Sequence, residues 1–385
     1  MHKIASILCA ALFFLARVSL AYGPTGHQIV GAIADEKLTA TSAGEQVKTL
    51  LDGISLEKAA VIPDEIKGWD KKGADDPQIF HYTSHPKIDA QLRDFWRANQ
   101  PTHDVNSAAP SHHWFHYTDV PVDHVEKYAD GEAGRSKWDI VHMIGYCVDV
   151  LQGRVPEEND RKITKAIAII LLAHYLGDIH QPLHVGAEYF DPSGHVSDPA
   201  REKSALGDEG GNTVELRLAN DPPSGRLPHT KKLHGFWDLD TVNALLPDVP
   251  ETARKEERYA IIDPAKKTLA HEMATAEPKD WRLPKGVEVR RSGEAWADEI
   301  LPLAREAHER LAFKNMRPLK QEDRVVALGD AEEKPVKDAP GYKDWAAKVV
   351  REELHKAGWR LADLLTQSLT QTPAPAASPK PTESK

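Results

Sequence analysis

The sequence predicts an all-α protein, a single mainly helical domain with long loops. Three observations carry that expectation. Apolar residues recur at helical intervals along most of the chain, and strand-like alternation is confined to short stretches such as Thr213 to Leu218. The 385 residues are 41% hydrophobic and 28% charged, which suits a folded chain with a substantial core rather than a disordered, fibrous or multi-span membrane protein. No internal repeat with a solenoid period is visible.

From the N-terminus, Met1-His2-Lys3 is weakly basic, Ile4 to Ala16 is apolar, and Ser19-Leu20-Ala21 offers the small residues of a cleavage site. Residues 1–21 therefore read as a signal peptide, with Tyr22 as the mature N-terminus and a secreted or periplasmic destination. The run is short for a membrane-spanning anchor, and no apolar window of 18 residues follows Ala21. Cys9 leaves with the signal and Cys147 remains alone, so no internal disulfide is expected and core size or metal must supply stability. Helical spacing then appears at Ile29, Ile33, Ala34 and Leu38; at Ile140, Ile144, Val148 and Leu151; from Ile167 through Leu176; from Ala304 through Leu311; and from Trp345 through Leu365. Between these lie expected loops at 71–90, 98–113, 185–212 and 219–230, long enough to suggest function. The domain runs over 22–371, and 372–385, rich in Pro, Ala, Ser and Thr, reads as a disordered tail.

Lys+Arg number 49 and Asp+Glu 59, a formal charge of −10, so a broad basic face for nucleic acid is not expected and any phosphate must be held locally. The unusual count is 19 His, 15 of them between His27 and His234. The densest chemistry is Ala173-His174-Tyr175-Leu176-Gly177-Asp178-Ile179-His180-Gln181-Pro182-Leu183-His184. His174 and Asp178 are four apart on an apolar helix, about 6 Å from one another on one face, and suit two ligands of one ion. A buried His neutralised by a carboxylate would look the same. Leu233-His234-Gly235-Phe236-Trp237-Asp238 repeats the spacing on what should be a second helix. Taken singly, Asp64 reads as a helix cap and His116 as a loop residue. Together with His27 and His184 they give more His and Asp donors, without Cys, than one zinc ion can bind.

In order, these residues resemble the S1/P1 nuclease family, exported zinc-dependent enzymes that cut single-stranded DNA and RNA and dephosphorylate 3′-nucleotides. The likeness covers about 220 residues: Gly26-His27, Pro63-Asp64, His116-Tyr117-x-Asp119, the His174 to His184 run, Asp208-x-Gly210-Gly211-Asn212, and Leu233-His234-x-x-Trp237-Asp238. The resemblance implies the helical phospholipase C/P1 nuclease fold and three zinc ions. Asp64, His116, His174 and Asp178 would hold the first; His184, His234 and Asp238 the second; His27, Asp178 and the amine and carbonyl of Tyr22 the third. Asp178 would bridge two ions. Asn212 would contact the scissile phosphate, and Tyr117 and Asp119 would take the base, with Asp119 also orienting substrate or water. Substrates would be single-stranded nucleic acid and 3′-nucleotides, and the chain is taken as a monomer. Paired ions acidify a bridging water and offset a leaving oxygen's charge, which would leave 5′-phosphate products.

The chain departs from the pattern in three ways: Tyr22 stands where the family has Trp, family disulfides are missing, and 51 residues separate Asp64 from His116. That insertion, about 71–113, contains a second copy of Phe-His-Tyr-Thr at Phe80 to Thr83. His116 is preferred over His81 because Trp114 precedes it and Asp119-x-Pro121 follows, whereas Ser84 occupies the place equivalent to Asp119. The insertion would either cover the site or pack as an ordinary excursion. A zinc phospholipase C-like phosphodiesterase and a secreted, non-catalytic zinc-binding helical protein are the alternatives. A metalloprotease lacks support because no His-Glu-x-x-His occurs.

Overall fold

The first helix of the described residues opens at Gly23. The computed structural model describes residues 22–102, 111–218, 231–250, 252–321, 324–335 and 337–370. The expected signal peptide, the 219–230 loop and the tail at 372–385 lie outside them, as do His103 and the rest of 103–110. The helices are α1 (Gly23–Leu38), α2 (Ser42–Leu50), α3 (Leu56–Ala59), α4 (Ile62–Ile66), α5 (Pro86–Ala98), α6 (Ile140–Leu151), α7 (Lys165–Ile179), α8 (Leu233–Gly235), α9 (Thr241–Asn243), α10 (Lys255–Thr275), α11 (Ser292–Glu309) and α12 (Tyr342–Thr370). None is long and apolar enough to cross a membrane.

The core forms around α7. Every residue from Ala166 to Ile179 is buried, as a helix that is apolar on all sides requires. Thr164 caps its start by accepting from Ile167 N at 3.2 Å, and Pro182 follows its end. α1, α6 and α12 pack around it, and α1 also lies on α10. Cys147 is buried in α6, and no disulfide occurs among the described residues.

The expectation of an all-α protein needs correction, although helices predominate. A four-stranded sheet, β6-β5-β8-β7, joins β5 (Val214–Arg217) and β6 (Lys231–Lys232) to the antiparallel pair β7 (Leu311–Gln321) and β8 (Arg324–Glu333), with β5 parallel to β8. Only β5 was visible as alternation. Leu311, expected at the end of a helix, begins β7 after α11 closes at Glu309. Pro318, a bulge between Lys314 and Arg317, and exposed charges at Lys314, Arg317 and Lys320 that break the alternation hide β7. The expected loop at 71–90 also ends early, because Pro86 opens α5, whose Ile88, Leu92, Phe95 and Trp96 are buried; the insertion packs against α7 as an excursion of the core. Within 185–212, Gly186–Ala187 (β2) pairs with Val120–Pro121 (β1), and Tyr189–Phe190 (β3) with Leu206–Gly207 (β4).

Candidate metal centre

The last two turns of α7 bring His174 and Asp178 together, Nε2 to Oδ2 3.2 Å. α1 lays His27 flat on His174, with ring centroids 3.8 Å apart. Gly177 makes room for this stacking, since a Cβ there would lie 2.6 Å from His27 Nδ1. His27 Nε2 is 3.4 Å from Asp178 Oδ1. α4, opened by Pro63, supplies Asp64, whose Oδ1 is 3.8 Å from His174 Nε2. A 3-10 turn, His112–His116, delivers His116 Nδ1 to 2.9 Å from Asp178 Oδ2 and 3.0 Å from His174 Nε2. The two oxygens of Asp178 thus face different imidazoles.

A second group forms where two distant segments are laced together. Backbone bonds from Thr118 N to His184 O and Val120 N to Val185 O, continued by the β1–β2 pair, hold the strand after His116 against the segment after His184. His184 Nε2 lies 3.0 Å from His234 Nε2 and 4.0 Å from Asp238 Oδ1, and His234 Nε2 lies 3.5 Å from Asp238 Oδ2. His234 sits in α8, and Asp238 in the π-helical turn Phe236–Asp240 that continues to α9, so the expected helix carries a π insertion, a feature common at functional sites. Gly210, at φ 58°, lets the 208–213 turn press on both segments: a Cβ there would stand 2.1 Å from Leu183 O.

Donor chemistry fits metal. His174 Nδ1 donates to Ala60 O, His184 Nδ1 to His116 O and His234 Nδ1 to Gly210 O, at 2.7, 2.8 and 2.7 Å. In their neutral forms each Nε2 is then a bare lone pair, so His184 and His234 point two lone pairs at each other across 3.0 Å. A cation between them removes the conflict, and the carbonyl contacts are the outer partners that orient metal-bound histidines. Both nitrogens of His27 and Oδ1 of Asp178 are buried without a hydrogen-bond partner. Burial pushes His184 down to about 3 and His116 well below its usual value, with Lys67 adding to the shift at His116, so these imidazoles are neutral. Burial opposes ionisation of Asp178, yet His174 and hydrogen bonds from His116 and His174 hold its carboxyl well below the usual range. Donor atoms of His27, Asp64 and His174, of His116, His174 and Asp178, and of His184, His234 and Asp238 each lie within 4.8 Å of one another.

Tyr22, the expected mature N-terminus, is also buried. Tyr22 donates its hydroxyl to His180 O at 2.5 Å, and its carbonyl accepts from Gly26 N at 3.1 Å, which anchors the start of α1 five residues before His27.

Tyr117 leaves the His116 turn in extended backbone, and it and Asp119 feel the charge of Glu209, whose carbonyl accepts from the side-chain amide of Asn212 at 3.0 Å. Burial raises the Asp119 carboxyl to about 8, helped by the charges of Glu209 and Asp208. Arg324, from β8, pairs with Glu209 and opposes that rise. Sequence reasoning missed Glu209 and Arg324, which meet only through tertiary structure. It also missed Lys67, a buried cation 2.8 Å from Asp64, and Gln181, which donates to Asp238 Oδ1 at 2.8 Å. Their local signals were Asp64-x-x-Lys67 on one helical turn and the placing of Gln181 before Pro182. His81 is outside the group: it bonds Asp76 O through Nε2 and accepts from Arg93 at Nδ1.

The family model described as S1/P1 Nuclease matches residues 22–370. Endonuclease 1 of Arabidopsis thaliana is 26% identical over 254 residues, covering 63% of this chain and 61% of that protein. Endonuclease 2 of the same plant is 24% identical over 283 residues, 73% of this chain and 75% of that protein. The chain therefore spans about three fifths of the first relative's length and three quarters of the second's.

Proposed function

The chain belongs to the S1/P1 nuclease family, and from that membership we propose that it is a zinc-dependent hydrolase of phosphate esters, exported after cleavage at Ala21. It cuts single-stranded DNA and RNA to 5′-phosphate products and removes the phosphate of 3′-nucleotides. The observation that carries the reading is the pair of bare Nε2 lone pairs of His184 and His234, 3.0 Å apart above Asp238, beside a second His/Asp group built on Asp178.

Asp64, His116, His174 and Asp178 hold one ion; His184, His234 and Asp238 a second; His27, Asp178 and the backbone amine and carbonyl of Tyr22 a third. Zinc supplies Lewis acidity, lowering the pKa of water and offsetting charge on phosphate and leaving oxygen. The chain does the positioning. Gln181 fixes the carboxylate of Asp238, and Lys67 adds positive charge beside Asp64. Tyr117 stacks the base, which favours single strands because a duplex must first be opened. Asp119, beside Tyr117, offers its carboxyl to the base for a hydrogen bond, and Asn212 turns its amide to a phosphate oxygen.

Purified protein beginning at Tyr22 tests this with a 3′-nucleotide, a single-stranded oligonucleotide and a choline phospholipid. The expected result is hydrolysis of the first two, lost on chelation and restored by Zn2+. Turnover of the lipid alone, or activity indifferent to chelator, overturns the reading.

A further inference from the structure

Apart from the groups that carry the proposed function, one more carboxylate gathers two imidazoles. Asp70 lies on the 3-10 turn Lys67–Lys71, and His112 and His113 open the turn that ends on His116. His113 Nε2 is 2.5 Å from Asp70 Oδ2, and His112 Nε2 is 3.3 Å from Oδ1. Neighbouring side chains usually diverge. Here the Ser111 cap on His113 N and the 3-10 geometry let two rings inclined at 79°, with centroids 4.5 Å apart, aim their ε nitrogens at one carboxylate. Three donor atoms of Asp70, His112 and His113 lie within 4.8 Å of one another, as in the groups above. Trp96, from α5, donates to Asp70 Oδ1 at 2.7 Å and fixes the carboxylate from outside, the role an outer partner plays at a metal site.

We propose that Asp70, His112 and His113 form an additional divalent-metal site, suited to zinc, that staples the two ends of the insertion. Two imidazoles and a carboxylate without Cys are a zinc donor set with a position left for water, and His113, 36% exposed, marks the open side. His112, by contrast, is buried and closes the site on its other side. Closing a contact between residues 42 apart draws binding energy into ordering the chain between them. The site also lies six residues after Asp64 and three before His116, so its occupancy steadies the backbone that presents both. It stands or falls separately from the nuclease reading, because none of its three residues belongs to the groups assigned there.

The test is metal stoichiometry. Wild type, Asp70→Asn, His113→Ala and His113→Gln are stripped with chelator, reloaded with Zn2+, desalted and analysed for bound metal, with thermal melts taken before and after loading. His113→Gln keeps a hydrogen-bond donor beside Asp70 without an imidazole, so it decides the matter should His113→Ala fold poorly. Each variant is expected to hold one equivalent less than wild type and to gain less melting temperature on loading. Equal stoichiometry in wild type and His113→Gln would mean that Asp70 is a hydrogen-bonded clamp, and the site would be abandoned. Wild type that shows no nuclease activity, with the one-equivalent difference intact, would instead count against the proposed function alone.

Discussion

Phe80-His81-Tyr82-Thr83 and Phe115-His116-Tyr117-Thr118 are the same four residues in opposite surroundings. Phe80 is 59% exposed and Phe115 fully buried. His81 has both nitrogens engaged, Nε2 on Asp76 O and Nδ1 facing Arg93, while His116 turns Nδ1 into the space between His174 and Asp178. Tyr82 donates to the carboxylate of Glu65, whereas Tyr117 faces Asp119 and Glu209. The difference teaches that residue type and local order do not make a ligand; what the rest of the chain places opposite the imidazole does. His81 finds a carbonyl and a guanidinium, which leave it nothing to give. His116 finds a carboxylate and another imidazole, the donor set a cation would take.

The sharpest way to break this comparison is to remove both imidazoles in turn. His116→Ala should lower hydrolysis of a 3′-nucleotide by more than about 100-fold, because a metal ligand is lost, whereas His81→Ala should stay within about twofold. Steady-state rates in Zn2+-loaded protein check this, and the reverse order would move the site into the insertion.

Next in size is the contrast between the carboxylates. Asp178 offers Oδ1 toward His27 and Oδ2 toward His116 and His174, while the imidazoles near Asp238 are those of a single group, His184 and His234. Asp178→Asn is expected to lose two equivalents of zinc and Asp238→Asn one, read by metal analysis of desalted protein. Equal losses would remove the bridging role from Asp178.

What the sequence made legible follows the same logic. α7 could be read because its apolar run, the i, i+4 spacing of His174 and Asp178, and the stop at Pro182 are all local. The sheet was hidden because β7 is interrupted by Pro318 and a bulge and exposes charges along its length. α10 escaped because its buried residues, Lys266, Leu269, Ala270, Met273 and Ala274, fill only its C-terminal half. Glu209 and Arg324 carry no pattern at all, since the ion pair between them depends on β8 lying parallel to β5. The role of His180 inside the Gly-Asp-x-His-Gln-Pro-Leu-His run was equally silent: it accepts from the buried Arg360 of α12 at 2.8 Å and so ties the run to the core.

A smaller effect should separate the two phenylalanines. Phe115 lies against Phe95, with ring centroids 6.4 Å apart in the core, and Phe115→Ala should cost about 3–5 kcal/mol of stability. Phe80→Ala should stay within about 0.5 kcal/mol, as exposed positions do. Denaturant titration of the two variants measures both, and similar losses would mean that the first copy is packed more tightly in solution than its exposure indicates.

The smallest expected effect concerns the residue that follows each copy, Asp119 in one and Ser84 in the other. Burial, then the charges of Glu209 and Asp208, raise the folded-state pKa of Asp119 from 3.8 to about 8. An acid whose pKa is raised on folding favours the folded state only while it is protonated. Its contribution is therefore complete below about pH 3.8 and is lost as pH rises through about 8. Metal-free protein isolates this term, because bound cations would lower the same pKa. Asp119→Asn has no proton to lose, so its melting temperature should exceed that of wild type by a margin that grows from pH 5 to pH 8 and then levels. Ser84→Ala should show no such trend, since Ser84 does not titrate in this range. A margin constant with pH would mean that the Asp119 carboxylate is well solvated in solution, and the burial that sets it apart from Ser84 would have to be given up.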